Sequence, residues 1–192
     1  MMSPLRGGAW SLACLVVTAV IVVAVPRPQG VTPEIVDYHG DLMKFARIAP
    51  YVVGAPEGLP ASWQPVSSRL TVGGADGAGT VTWHLGYMTP SGMIASLEES
   101  NANPAEFIRR MTNSGKQQQP VRLAGMVWSQ RWRSDKDQRS LYYPNAGGQA
   151  RVTGQARATG QARATGVTVV LTGNAGWSEL YVLAASLRPQ PR

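Results

Sequence analysis

The chain has 192 residues, 44% of them hydrophobic and 15% charged, a composition that can bury a core and excludes wholesale disorder. Of its net charge of +7, five arginines stand apart: Arg6 and Arg27 flank an apolar run, Arg151, Arg157 and Arg163 lie in a repeat, and without them the balance falls to +2. The basic character is therefore a weak argument for nucleic acid and equally fits a place beside anionic lipid or cell-wall polymer. The one cysteine, Cys14, sits in the apolar run, so the rest of the chain has no thiol for a disulfide, a metal or nucleophilic attack.

After a short flank, 1–8, the 17 residues from Ala9 to Val25 carry only Ser11 and Thr18 as polar members. At about 1.5 Å per residue that run approaches the ~30 Å hydrocarbon core, which predicts a transmembrane helix. A cleaved signal peptide competes, with Arg6 as its basic region and Val22-Val23-Ala24 as a cleavage site. The run exceeds the roughly 7–15 apolar residues of such peptides, which favours a retained anchor. The expected placement is a single pass in the cell membrane with the C-terminal bulk extracytoplasmic, an orientation resting on the short N-terminal flank.

Prolines at 26, 28 and 33 predict an extended spacer over 26–58, interrupted by a short helix within Ile35 to Ile48. The exported domain is expected over 59–192. Strands are read at Val66 to Val72, at Thr80 to Met88, where Val81, Trp83, Leu85 and Tyr87 alternate with polar or small residues, and at Met93 to Glu99. Asn103-Pro104 then places a cap and a first-turn proline on a helix reaching about Met111. Further strands follow at Val121 to Arg133, broken at Ala124-Gly125, at Arg139 to Tyr143 and at Val167 to Thr172. A last helix puts Leu180, Leu183, Ala184 and Leu187 on one stripe before Pro189. The fold class is α+β: an N-terminal transmembrane helix, then an antiparallel sheet with helices packed on one face, arranged as two similar βββα halves.

Gln149 to Gly166 is three hexapeptides, QARVTG followed by QARATG twice. With them removed, Gly148 meets Val167 and an ordinary hairpin connection remains. The repeat reads as an expanded loop tip, since the units lack an apolar stacking face.

The motifs LPASWQP at 59–65, TWHLGYMTPSG at 82–92, ASLEES at 95–100, GMVWSQRW at 125–132, GVTVVLTG at 166–173 and LAASLR at 183–188 together resemble the actinobacterial membrane protein family of domain of unknown function 4245. The resemblance implies a single-pass membrane protein with an exported domain and implies no activity.

Catalytic and ligand-binding parts are sparse. His39 and His84 are the only histidines, too few for a zinc set, and no cofactor is expected. Asp37, His39 and Asp41 read as a solvated face. Glu98 and Glu99 are adjacent in a strand, so their side chains take opposite faces and cannot work as a pair, and one is expected at the surface. There is no G-x-S-x-G elbow; His84, a serine and a carboxylate could form a triad only by tertiary convergence. Trp128 and Trp132 beside Arg131 and Arg133 are the candidate binding surface, weighed against plain core packing. The leading expectation is a non-enzymatic domain that binds or organises something at the envelope: its own bilayer, an envelope protein, anionic lipid or cell-wall polymer. A small-molecule or lipid carrier with a pocket between sheet and helices comes second, and a hydrolase third.

Overall fold

The computed structural model describes residues 34–73, 79–144 and 166–191. In chain order the elements are α1 (His39–Ile48), β1 (Gly54–Pro56), β2 (Gln64–Val72), β3 (Val81–Met88), β4 (Ile94–Ser100), α2 (Pro104–Met111), β5 (Lys116–Leu123), β6 (Met126–Arg133), β7 (Gln138–Pro144), β8 (Thr168–Gly173), α3 (Trp177–Ser186) and β9 (Leu187–Pro189), with one 3-10 turn at Ser134–Lys136. Seven strands make one antiparallel sheet in the order β2-β3-β4-β8-β7-β6-β5, and β1 and β9 pair as a separate ribbon. Among the described residues no helix is long and apolar enough to cross a membrane. The expected span from Ala9 to Val25 lies outside them.

Local chemistry explains the element ends. The Asn103 side chain accepts from the Glu106 N–H at 3.2 Å and Pro104 opens α2, as the sequence indicates. Ala124 and Gly125 both have positive φ, the geometry of a two-residue hairpin matched to strand twist, and they join β5 to β6 where the break was read. β5 begins earlier than expected. Lys116 to Pro120 is exposed and polar on both faces of an edge strand, so it shows no alternation, and Pro120 falls where the register shifts between Gln118 and Val121.

Side-chain parity decides which helix covers which face. Trp83, Leu85 and Tyr87 of β3, Leu97 of β4, Leu171 of β8 and Trp128 of β6 share one core with Phe45 of α1 and Leu180 and Leu183 of α3. Val170, one residue out of step in β8, packs instead with Phe107 and Ile108 of α2. α2 therefore covers the face opposite α1 and α3, which corrects the expectation of helices on one face. The reason is that β4 and β8 are central and buried on both sides, and such strands read as continuous runs that do not disclose a second layer.

The order β2-β3-β4-α2 is echoed by β6-β7-β8-α3, with β4 beside β8 and β5 added at the edge. A rotation exchanging antiparallel β4 and β8 within the sheet would bring both helices to one face. They take different faces, so the halves share an order of elements and not a symmetry.

Of the region read as a spacer, the described part from Glu34 onward packs into the domain. Phe45, Tyr51, Val53 and Ala55 are core residues, so a boundary at Leu59 cuts through one packed unit. Pro50 follows the C-cap of α1 at Ala49 and Pro56 closes β1, whereas the prolines at 26, 28 and 33 lie outside the described residues. Each large apolar side chain fully buried here contributes about 1.5–3 kcal/mol, which is why so short a ribbon and helix hold their places.

β7 and β8 pair antiparallel out to Pro144↔Thr168, so the segment carrying the hexapeptides connects two neighbouring strands. The repeat itself, apart from Gly166, lies outside the described residues. Deleting 149–166 should leave stability within about 1 kcal/mol of the parent, because shortening a loop changes closure entropy only logarithmically. Chemical denaturation of both proteins checks this, and a loss of several kcal/mol would mean that the repeat makes contacts the domain needs.

Candidate functional site

Between the β1–β9 ribbon and the sheet lies a cavity of about 130 Å³. Val53, Met126, Trp128, Tyr143, Val169 and Leu187 form apolar walls, and Val52 and Arg188, both exposed, stand at its opening. Its one carboxyl group is Glu99, only 1% exposed. β4 places it there by parity: Glu99 pairs with Trp83 and Val169 across the ladder, whereas Glu98 pairs with His84 and Val170 on the other face. The opposite-face reading of the two glutamates thus holds, but neither is at the surface, since Glu98 is 8% exposed. A central strand covered on both sides leaves no exposed face for either.

The Gly54 N–H donates to both Glu99 oxygens, at 3.1 Å and 3.3 Å. A Cβ at Gly54 would sit 2.8 Å from Oε1, so glycine is required for this approach. Burial pushes the Glu99 carboxyl up to about 8, against the opposing pull of the Gly54 N–H. Near neutrality the cavity therefore presents a protonated acid, able to donate one hydrogen bond and accept others. Trp128 lends its ring to the wall, while its indole N–H is buried, is not open to the cavity and has no acceptor among the described residues, an arrangement that costs roughly 1–3 kcal/mol.

The residues expected to form a binding surface do not come together as one. Trp128 is 1% exposed and tilts against Tyr143 at 6.1 Å between ring centres, whereas Trp132 is 41% exposed. Arg131 and Arg133 project from the other face of β6, the first 5.6 Å from the centre of the Tyr142 ring and the second paired with Asp135 at 2.9 Å. Core packing claims Trp128, and strand parity separates the tryptophans from the arginines. His39 Nδ1 lies 2.8 Å from Asp37, which precedes the helix and so escapes helical spacing; Asp41 accepts from Ser68 at 2.7 Å. Among the described residues, no three His, Cys, Asp or Glu side chains converge as metal ligands.

On the face away from the cavity, three residues that sequence reasoning could not join lie in line. Ser67 Oγ is 2.9 Å from His84 Nε2, and His84 Nδ1 is 2.5 Å from Glu98 Oε1. Adjacent strands β2, β3 and β4 each supply one. The signal was weak in the sequence because the contacts cross between strands, at separations of 17 and 14 residues.

Together the described residues form an α+β domain with a small, half-open cavity under a β-ribbon. The chain belongs to the family described as Protein of unknown function (DUF4245), whose model matches residues 2–187. No curated protein and no solved structure matches it.

The buried carboxyl makes stability depend on pH. In the unfolded chain Glu99 titrates near 4.5 and in the fold near 8, so its full contribution is present below pH 4.5 and is lost as pH rises through about 8. The melting temperature should fall between pH 5 and pH 9, and Glu99→Gln should flatten that profile. A wild-type profile already flat over this interval would mean that Glu99 is ionised in the fold throughout.

Proposed function

We propose that this is a single-pass membrane-anchored protein whose extracytoplasmic domain binds a small, largely apolar molecule, or the end of a longer one, in the Glu99 cavity. The observation that carries the binding reading is the conjunction of apolar walls with one buried polar group, the Glu99 carboxyl. Ligand sites typically combine an apolar lining with a few fixed polar groups. At about 130 Å³ the space suits one aromatic ring or a short acyl end, since a cavity of roughly 150 Å³ can hold benzene. A drug-sized molecule needs more than twice that volume.

The carboxyl defines the preferred ligand chemistry. A neutral carboxyl in apolar walls favours an uncharged ligand carrying a hydroxyl or carbonyl oxygen, since among the described residues no cation lies beside it to offset the burial of an anion, Arg188 standing at the opening. The membrane part rests on the apolar run from Ala9 to Val25, and a ligand drawn from or delivered to the bilayer would suit a domain held beside it. The wider role of organising an envelope partner is kept only in this narrower form.

Phenol, a single ring with one hydroxyl, is the probe. Full-length protein in lipid nanodiscs should show a saturable change in tryptophan emission on phenol titration, and Val169→Phe, which fills the cavity, should abolish saturation while the protein still melts cooperatively. A response that grows without limit, or one untouched by Val169→Phe, would remove the binding reading.

Placement is tested separately in native membranes. After alkaline and high-salt washing the protein should remain in the membrane fraction, since ~17 apolar residues hold more strongly than electrostatics. Protease outside the cell should digest the domain. A soluble mature form beginning near Val25 would identify the run as a signal peptide instead.

A further inference from the structure

The geometry points to a second, independent site: a serine nucleophile, Ser67, activated by His84 and oriented by Glu98, able to cleave short-chain carboxylic esters on the face of the sheet opposite the cavity. The three side chains form one chain of contacts, 2.9 Å from Ser67 Oγ to Nε2 and 2.5 Å from Nδ1 to Oε1 of Glu98. In the neutral imidazole paired with a carboxylate, Nδ1–H donates to Glu98 and Nε2 accepts from the Ser67 hydroxyl. That is the tautomer a general base requires, with a third group holding it in place.

Two backbone features build this arrangement. The register between β2 and β3 runs Pro65↔Tyr87 and then Ser67↔Gly86, so Val66 is an extra residue, and a bulge of this kind re-aims the side chain that follows it. Opposite the bulge stands Gly86, where a Cβ would collide with Ser67 Oγ. An alanine there would displace the hydroxyl from the histidine. The exposures are graded in the useful order: the Glu98 side chain is 10% exposed and that of His84 is 33% exposed, which leaves the base reachable and its orienting acid dry.

The reaction follows from these roles. Ser67 Oγ attacks the ester carbonyl carbon while its proton passes to His84 Nε2. The bond from carbon to the alkoxy oxygen breaks, and the alcohol leaves with that proton. Water then attacks the acyl-Ser67 ester, giving a proton to the same nitrogen, and the acid departs as Ser67 recovers its hydrogen. β2 is an edge strand, met at Pro65 by the Val36 N–H, and an edge strand has outward N–H groups of the kind a developing oxyanion requires. The nearest neighbours on this face, Gly86 and Ser96, are small, and the apolar pair Met88 and Ile94 follows them, which leaves room for a short acyl group beside Ser67.

The test is covalent. Full-length protein in nanodiscs is treated with a fluorophosphonate, which phosphonylates activated serines, and the modified peptide is located by mass spectrometry. Labelling is expected at Ser67, absent in Ser67→Ala, and slowed about 100-fold or more in His84→Ala. Glu98→Gln should slow labelling and shift its pH profile, and Glu98→Asp should restore part of the rate. No labelling of the wild type under conditions that label a known serine esterase, labelling at another serine, or a rate indifferent to His84→Ala would each reduce the trio to a hydrogen-bond network tying three strands together. The wild-type and Ser67→Ala results decide the matter even where a Glu98 variant fails to fold.

Discussion

The pairing of β4 with β8 at the centre of the sheet is the constraint on which the remaining structure depends. It joins segments far apart in the chain, as the Ser96 hydroxyl bonded to the Thr172 carbonyl at a separation of 76 residues shows. Contacts of such range are costly to form, because the loop between them must close before any of them contributes. Once formed, the pair is buried on both faces, by α1, α3 and the β-ribbon on one side and by α2 on the other. Every side chain of β4 from Ala95 to Ser100 then has to be accommodated in an interior. Two adjacent glutamates in that stretch are therefore forced into two different interiors, Glu99 against the Gly54 N–H and Glu98 against the His84 ring.

What happens to the two carboxyls shows how environment assigns a role to one residue type. Glu99 faces apolar walls and a single backbone N–H, so neutralisation is its cheapest response to burial. Glu98 faces the His84 ring, a partner that can donate to it directly. Neither outcome depends on the glutamates themselves, since exchanging their positions by a one-residue slip would exchange their environments. The register of β4 is fixed by apolar neighbours such as Leu97 between Leu85 and Leu171, so core packing sets the chemistry of both faces.

The strands with one buried face were legible in the sequence, β3 above all, because alternation carries the signal. The α2 cap was legible because Asn103 and Pro104 have local functions at a helix start. The opposite faces of Glu98 and Glu99 followed from the period of a strand. What escaped was whatever depends on tertiary cover. The side taken by α2, the burial of both glutamates and the incorporation of α1 in the core all require knowing what lies above the strand, and no local pattern encodes that. Trp128 shows the limit well, for its spacing with Trp132 fits an exposed platform and a half-buried strand equally, and only the ribbon lying over it decides. The Ser67–His84 contact was hidden further, since it needs both the register of β2 and β3 and the bulge at Val66.

The cavity and the serine relay stand on opposite faces of one sheet layer, and this separates the two functional readings physically. A molecule seated against Trp128 and Glu99 has the backbones of β4 and β8 between itself and Ser67, so it cannot be the ester that Ser67 attacks. Nor would filling the cavity at Val169 place any atom near His84, because Val169 pairs with Glu99 and not with Glu98. A domain that only binds would keep the Glu99 face and have no use for Gly86 or for a bulge at an edge strand. One that only cleaves esters would have no use for a buried acid beside an apolar cavity. The backbone accommodates both, with Gly54 admitting Glu99 and Gly86 admitting Ser67. Glycine at each of these positions carries a loss of backbone entropy on folding, which close side-chain approach offsets on either face.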